Sequence, residues 1–296
     1  MLVTFPVCHH ERERALKLVE WIAELGGCEK HSILVCLTKS AHALGFYELL
    51  EPHLAKAFGS VSLFVPHDEC EVEWTNGRKD ASAPNHMFKR VAQHVSWQLK
   101  VPYFWMETDC IPLVPTWLDE IEAEYKECGK PFMGSIVHQS GLTLHMNGNG
   151  VYPADILVQA PKAIVCGITP FDLHGAPDIL PKAHNSKRIH NKPQQNTFPV
   201  QNALALINAD AVVFHPVKDG SLIDRLREKK NGVEIAVQPD VGRGDPGSGV
   251  VCSLHETKAG QPLSVKELVA ELAAHAKGDG FAKARVMRAL KNAGLK

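Results

Sequence analysis

The chain has 296 residues, enough to bury one large core or two modest ones. Its formal net charge is -1, so no global field selects for or against a polyanionic partner, and only local patches bear on that question. Eight cysteines (Cys8, Cys28, Cys36, Cys70, Cys110, Cys128, Cys166 and Cys252) stand apart with no CxxC pair, which argues against an extracellular disulfide framework and a structural zinc knuckle. The chain opens directly in LVTFPV, with no basic segment before a long apolar one, and no run reaches bilayer length. The expectation is a soluble cytoplasmic protein with no membrane partner.

Leu2 to Val7 reads as a short buried strand. In the next segment Ala15, Leu16, Val19, Ile22 and Leu25 recur at helical spacing, and Gly26-Gly27 closes the helix. Ser32 to Leu37 is a second strand, Ala41 to Phe58 a second helix, and Val61 to Val65 a third strand. Strand–helix–strand–helix–strand at these lengths is the βαβ pattern of a parallel sheet covered by helices on both faces. Pro66 to Ala83 is polar and irregular. A helix from about Pro84 carries Met87, Phe88, Val91, Ala92 and Val95 as one stripe.

That helix leads into VPYFWMETDCIPL, Val101 to Leu113, an apolar run that ends in two acids, Glu107 and Asp109. Burial disfavours a charged carboxylate unless a cation or donors compensate it. Because strand side chains alternate faces, Glu107 and Asp109 are expected to point the same way, where one divalent ion, or water held by it, meets both. In open α/β sheets ligands gather beyond the carboxyl ends of the strands, and Pro6, Val7, Asn85 and the acid pair would then share one rim.

Trp117 to Cys128 is an amphipathic helix and Phe132 to Val137 a strand. HMNGNGVYPADILV, His145 to Val158, reads as a Gly/Asn-rich loop, with a helix from about Ala154 to Val165. Pro181 to Lys192 carries four Lys/Arg, two His and no acid, and reads as an exposed, mobile loop. Ala203 to Ile207 has helical character. Ala211 to Phe214 is a last strand, with His215 at its end and Lys218 just beyond.

Asn231 to Gln261 reads as a linker. In the C-terminal unit Ser264 with Glu267 forms a capping box, and a second helix follows GDG. Six basic residues (Lys277, Lys283, Arg285, Arg288, Lys291 and Lys296) face one acid, Asp279, across this end of the chain. The organisation expected is therefore a domain over residues 1–230, a linker over 231–262 and a basic helical hairpin over 263–296 that docks on the domain or meets a polyanion.

Two carboxylates and one imidazole make a ligand set for manganese or magnesium bound to phosphate oxygens. A diphosphate leaving group needs such neutralisation, because negative charge develops on it as its bond breaks. Lys218 adds a point charge for the same diphosphate.

In this order the motifs resemble the nucleotide-sugar-dependent glycosyltransferases of the GT-A type, over about residues 1 to 230. The resemblance implies an α/β fold, a mostly parallel sheet flanked by helices, and a metal-dependent enzyme using a nucleotide-diphosphate sugar, with UDP as the first choice of nucleotide. It places Thr4, Phe5, Pro6 and Val7 at the nucleotide. Glu107-Thr108-Asp109 stands where the class usually has Asp-x-Asp, so Glu107 departs from the common form. His215 resembles the late third metal ligand and Lys218 the diphosphate contact. Asn147, Gly148, Asn149 and Gly150 resemble the acceptor-side loop, and Asn85 the turn that meets nucleotide or sugar.

An inverting enzyme needs a carboxylate to deprotonate the acceptor hydroxyl; Asp172, flanked by Phe171 and Leu173, is preferred to Asp178. For the acceptor, the basic segment with Lys187 and Arg188 and the basic terminus suit a nucleic-acid backbone. The chain thus resembles viral and protist enzymes that glycosylate hydroxymethylated pyrimidines in DNA, which would act in a host cytoplasm if viral. The alternatives are a protein or small-glycan acceptor, or a non-catalytic nucleic-acid-binding protein on the same fold. A nucleotidyltransferase would need a Gly-rich basic loop where CHHERER stands, and no GxGxxG follows the first strand.

Overall fold

The computed structural model describes residues 1–67, 82–137, 143–165, 167–191, 207–215 and 217–231. The chain divides into two units, Met1–Gln238 and Pro239–Lys296. The expected linker, apart from Asn231, and the basic hairpin fall outside the described residues, as does nearly all of the expected helix at Ala203 to Ile207.

The first half alternates strands and helices as the apolar periodicity demands. Strands β1 (Leu2–Val7), β2 (Cys28–Leu37), β3 (Phe58–Phe64) and β4 (Tyr103–Trp105) are interleaved with helices α1 (Arg12–Leu25), α2 (Lys39–Ala43), α3 (Phe46–Ala57) and α4 (Ser82–His94). The helix expected over Ala41 to Phe58 is two, because the chain turns at Gly45, whose φ is +71°. Next come β5 (Ile111–Pro112), α5 (Trp117–Cys128), β6 (Phe132–Val137) and β7 (His145–Tyr152). Four one-turn helices follow: α6 (Ile156–Gln159), α7 (Pro161–Ile164), α8 (Phe171–His174) and α9 (Ala176–Ile179). The remaining elements are β8 (Ala183–Asn185), β9 (Ile189–Asn191), β10 (Val213–His215) and α10 (Ser221–Lys230).

The main sheet has the order β3-β2-β1-β4-β7-β6-β8. β7 is antiparallel to both β4 and β6, while the pairs β1–β2, β1–β4, β2–β3 and β6–β8 are parallel. The result is the mostly parallel sheet flanked by helices that the sequence predicts. Side chains alternate across it. Val3, Phe5, Val7, Ile33, Val35 and Phe104 pack with α1 and α3 on one face. Leu2, Leu34, Cys36, Tyr103 and Trp105 pack with Phe88 and Val91 of α4 on the other. Each such apolar side chain contributes about 1.5–3 kcal/mol of transfer free energy, which fixes strand register more firmly than any surface contact.

Two expectations from composition are corrected here. The Gly/Asn segment is not a loop: His145 to Tyr152 is strand β7, inserted between β4 and β6. Its glycines serve close packing; a Cβ at Gly150 would stand 2.9 Å from the Met133 carbonyl oxygen. The basic stretch after Pro181 is not an exposed loop either. It forms a 3-10 turn over Leu180–Lys182, edge strand β8 and then β9, which pairs with β10 in a second sheet of order β5-β10-β9. The helix expected from Ala154 to Val165 is two short ones, broken at Ala160-Pro161.

Candidate metal centre

The parallel strands bring their carboxyl ends to one rim, and the acids stand there. β4 stops at Trp105, so Glu107-Thr108-Asp109 occupies the turn beyond it, closed by the Cys110 N–H donating to the Glu107 carbonyl at 3.0 Å. It is this turn that brings the two carboxylates together, not alternation along a strand.

The second sheet delivers the imidazole. β10 ends on His215 and β9 on Asn191, and the two are register partners. His215 Nδ1 lies 2.5 Å from Asn191 Oδ1, so the ring donates there and turns Nε2 toward the acids. Nε2 is 3.2 Å from Asp109 Oδ1 and 3.8 Å from Glu107 Oε2. Lys218 Nζ is 3.7 Å from Asp109 Oδ2. One ligand atom each from Glu107, Asp109 and His215 lies within 4.8 Å of the others.

This donor set fits a divalent cation. Bonds of about 2.1–2.4 Å let ligand atoms on one ion stand up to roughly 4.2–4.8 Å apart, so the three groups are close enough together to share one ion. Two carboxylates with one imidazole suit Mn²⁺ or Mg²⁺ better than a thiolate-seeking metal. The Asn191 bond settles which ring nitrogen is offered.

The electrostatics agree. Burial and the neighbouring Asp109 charge push Glu107 up to about 7. Burial alone would raise Asp109 too, but His215, then Lys218 and Arg14, outweigh it and hold this carboxyl well below the usual range. Burial would lower His215, and the charges of Asp109 and Glu107 reverse that and raise it. The two carboxylates thus favour the charged form of His215, and a bound cation would compete with that proton.

Two groups hold the centre in place: the segment expected on the acceptor side, whose Asn147, Gly148 and Asn149 instead pack around Glu107, and the pair Glu11 and Arg14, which the motifs did not mark. Asn149 is fully buried, and its Oδ1 accepts the Glu107 N–H at 2.8 Å while Nδ2 donates to the Glu107 carboxylate at 3.3 Å. Asn147 Oδ1 in turn accepts from the Asn149 N–H at 3.1 Å. A Cβ at Gly148 would stand 3.2 Å from Phe171 Cζ and 3.5 Å from Glu107 Oε1, so a side chain there would crowd both. Thr108 is bound on the other side: its hydroxyl donates to Glu11 Oε1 at 2.9 Å and accepts from Arg14 Nε at 2.8 Å. Arg14 and Glu11 also form an ion pair, and Glu11 accepts the Cys8 N–H at 3.1 Å, which ties the turn after β1 to the acid turn.

The other expected site residues divide. Asp172, on α8, lies 3.8 Å from His145 Nε2, and its charge is felt at Glu107; burial raises its carboxyl despite His145 and nearby backbone amides. Asp178 instead accepts the Lys162 N–H at 2.9 Å and pairs with its ammonium, binding α9 to α7. Asn85 spends its amide on the backbone: Nδ2 donates to the Gly167 and Thr169 carbonyls, and Oδ1 accepts the Phe171 N–H at 2.8 Å. It thereby anchors the segment that carries Asp172. Thr4, Phe5 and Val7 are buried within the sheet and only Pro6 is partly exposed, so the surface at this end belongs to the turn that follows, where His9 Nδ1 meets Ser40 Oγ at 2.9 Å. Arg188 pairs with Glu120, and the Lys187 N–H donates to Glu124, both on α5; the Lys187 side chain is exposed.

No protein-family model matches the chain, and no curated protein matches it in sequence. Among solved structures, mouse xyloside xylosyltransferase 1 in its apo form is similar at 9% identity and a TM-score of 0.46, over 73% of this chain and 97% of that one. The galactosyltransferase LgtC in complex with donor and acceptor sugar analogues is similar at 8% identity and a TM-score of 0.47, over 81% of this chain and 98% of that one. S. aureus TarS 1–349 is similar at 11% identity and a TM-score of 0.37, over 60% of this chain and 52% of that one. Likenesses of this depth decide neither reaction nor substrate. Among the described residues, no helix is long and apolar enough to cross a membrane.

Proposed function

We propose that this chain transfers a sugar from a nucleotide-diphosphate donor, UDP-linked by first preference, to a hydroxyl acceptor. The observation that carries the reading is the convergence of Glu107, Asp109 and His215 to one cation-sized site at the carboxyl rim of the sheet, with Lys218 beside it. A bound Mn²⁺ or Mg²⁺ would supply charge neutralisation for the departing diphosphate. Asp109 and His215 would hold it directly, with Asn191 fixing the imidazole. Glu107, with its raised carboxyl, completes the set or holds a water on the ion. Lys218, whose side chain is half exposed beside Asp109, would meet diphosphate oxygens.

In the transfer, the acceptor oxygen bonds to the anomeric carbon as the bond from that carbon to the diphosphate oxygen breaks. The diphosphate leaves with the electron pair, and the acceptor's proton passes to a carboxylate. Asp172 fits that role: it is the expected acid that lies within electrostatic reach of Glu107, and burial raises its carboxyl. Asp178 is committed to Lys162 and is set aside.

A hydroxymethylated pyrimidine in DNA is the acceptor that the basic segments favour. Its support now rests on Lys187 and the basic stretch from Lys277 to Lys296, since Lys182 donates to Gln159 and Arg188 pairs with Glu120. The test is transfer of labelled sugar from UDP-sugars with Mn²⁺ to hydroxymethyl-DNA and to glycan acceptors in parallel. Metal-dependent turnover lost in Asp109→Asn supports the reading. Absence of both metal-dependent UDP binding and donor turnover rejects it, and leaves DNA binding without chemistry as the reading that a filter-binding assay would then support.

A further inference from the structure

The acid turn lies beyond the end of β4, where strand pairing no longer fixes it. Asn149 holds it at Glu107, and on the other side the hold passes through Thr108. Thr108 is 2% exposed; its hydroxyl gives its proton to Glu11 Oε1 at 2.9 Å and offers a lone pair to Arg14 Nε at 2.8 Å. The Arg14 guanidinium also pairs with that same Glu11 oxygen, so the three side chains close a triangle. Glu11 Oε2 accepts the Cys8 N–H at 3.1 Å. The middle residue of the acid turn is thereby hung on the end of β1 and on the first turn of α1, elements 97 and 94 residues away along the chain.

We infer, on the metal reading proposed above, that Thr108 and Arg14 are positioning residues of the metal centre: their contact sets the turn so that Glu107 and Asp109 meet His215 around one cation. Thr108 is then no mere spacer between two ligands. It stands between the acids in sequence, so a shift of its hydroxyl carries both carboxylates with it. His215 arrives from the second sheet, so the three ligands share no element that keeps them in register, and the turn has to be fixed from its own side. The guanidinium fork suits this task. Nε meets the hydroxyl while a terminal nitrogen meets Glu11, two directions at once that an ammonium on a flexible stem does not reproduce. Charge alone gives the opposite expectation. Arg14 acts as a cation on Asp109, and removing a cation from beside a metal site favours Mn²⁺. A loss of affinity on removing Arg14 therefore reports position and not charge.

The test is Mn²⁺ titration of the full chain with UDP present, followed by electron paramagnetic resonance, with urea unfolding of each variant alongside. Thr108→Val keeps the shape and removes the hydroxyl. It is expected to weaken Mn²⁺ binding about tenfold, the lower end of what outer partners of metal ligands carry. Thr108→Ser keeps the hydroxyl and should retain most of the affinity. Arg14→Met should also weaken binding, and should add nothing in the Thr108→Val background, where its link to the turn is already gone. Lys17→Met, on the same helix and paired with Asp224 at 2.7 Å, should leave the affinity as it is. If Thr108→Val fails to fold, Arg14→Met, at a partly exposed position, decides alone. Wild-type Mn²⁺ affinity in Thr108→Val, with or without a loss of stability, equal losses in Thr108→Ser and Thr108→Val, or tighter binding in Arg14→Met overturns the inference and leaves the metal centre standing. No Mn²⁺ uptake by the wild-type protein with UDP present rejects both.

Discussion

Asn191 Oδ1 and His215 Nδ1 stand 2.5 Å apart across adjacent parallel strands, and this contact decides which face of the imidazole the acids see. Outer partners of metal-binding histidines are worth about 10–100-fold in metal affinity. Asn191→Leu is expected to weaken Mn²⁺ binding by about that factor with the fold retained, read by isothermal titration in the presence of UDP. Unchanged affinity would show that the ring needs no such support.

Asp109 and His215 are the proposed direct ligands of the ion. Asp109→Asn keeps the shape and some hydrogen bonding, while His215→Ala removes a ligand outright. Both variants are expected to stay folded by circular dichroism and to lose metal-dependent turnover by at least about 100-fold, since charge stabilisation of a leaving group commonly contributes that much. Full activity in Asp109→Asn is incompatible with the proposed role.

Glu107 makes stability depend on pH. Its folded pKa, about 7, exceeds its ordinary value of 4.5. Between these values the folded protein binds more protons than the unfolded chain. Its contribution is therefore complete below the lower value and lost as pH rises through the upper one. A cation offsets the charge that appears, so the melting-temperature gain on adding Mn²⁺ should grow from about pH 6 to about pH 8. Glu107→Gln should shrink that growth. A gain independent of pH would contradict the coupling.

Asp172 and Asp178 separate catalysis from scaffolding. Asp172→Asn is expected to lower transfer by about 100-fold or more while leaving UDP–Mn²⁺ binding in place. Asp178→Asn is expected to cost about 1 kcal/mol of stability through the Lys162 contact and to leave transfer close to wild type. Denaturant titration with steady-state kinetics on both variants distinguishes the two roles.

Asn85 supports Asp172 from below. Asn85→Ala would orphan the Phe171 N–H and two carbonyls, and about 2–3 kcal/mol of stability should be lost. Urea unfolding gives the number directly; a loss under half a kcal/mol would mean the backbone groups find water instead.

The first four strands were legible because their buried residues alternate or run continuously, and α1, α4 and α5 because their apolar stripes repeat at helical spacing. The candidate metal ligands were legible for another reason: Glu107 and His215 each follow directly on an apolar run, which marks a strand end, and Asp109 lies two residues beyond Glu107. Strand β7 was not. HMNGNG has the composition of a turn, and it is a strand only because Gly134, Gly148 and Gly150 allow neighbours to approach where a Cβ would collide. The three-residue strands β8 and β9 are too short for any period to show, and their pairing with β6 and β10 is entirely tertiary. Asn191, Glu11 and Arg14 lay beyond reach because their partners are distant in sequence, and Asn149, expected on the acceptor side, holds Glu107 instead for the same reason.

The measurement that bears most directly on the whole account is anomalous diffraction at the manganese edge, from crystals grown with MnCl₂ and UDP. The account predicts one strong peak within bonding distance of Asp109 and His215 Nε2, with the diphosphate completing the coordination near Lys218. UDP bound at the rim with no peak between those two residues, or a peak elsewhere on the protein, would contradict it.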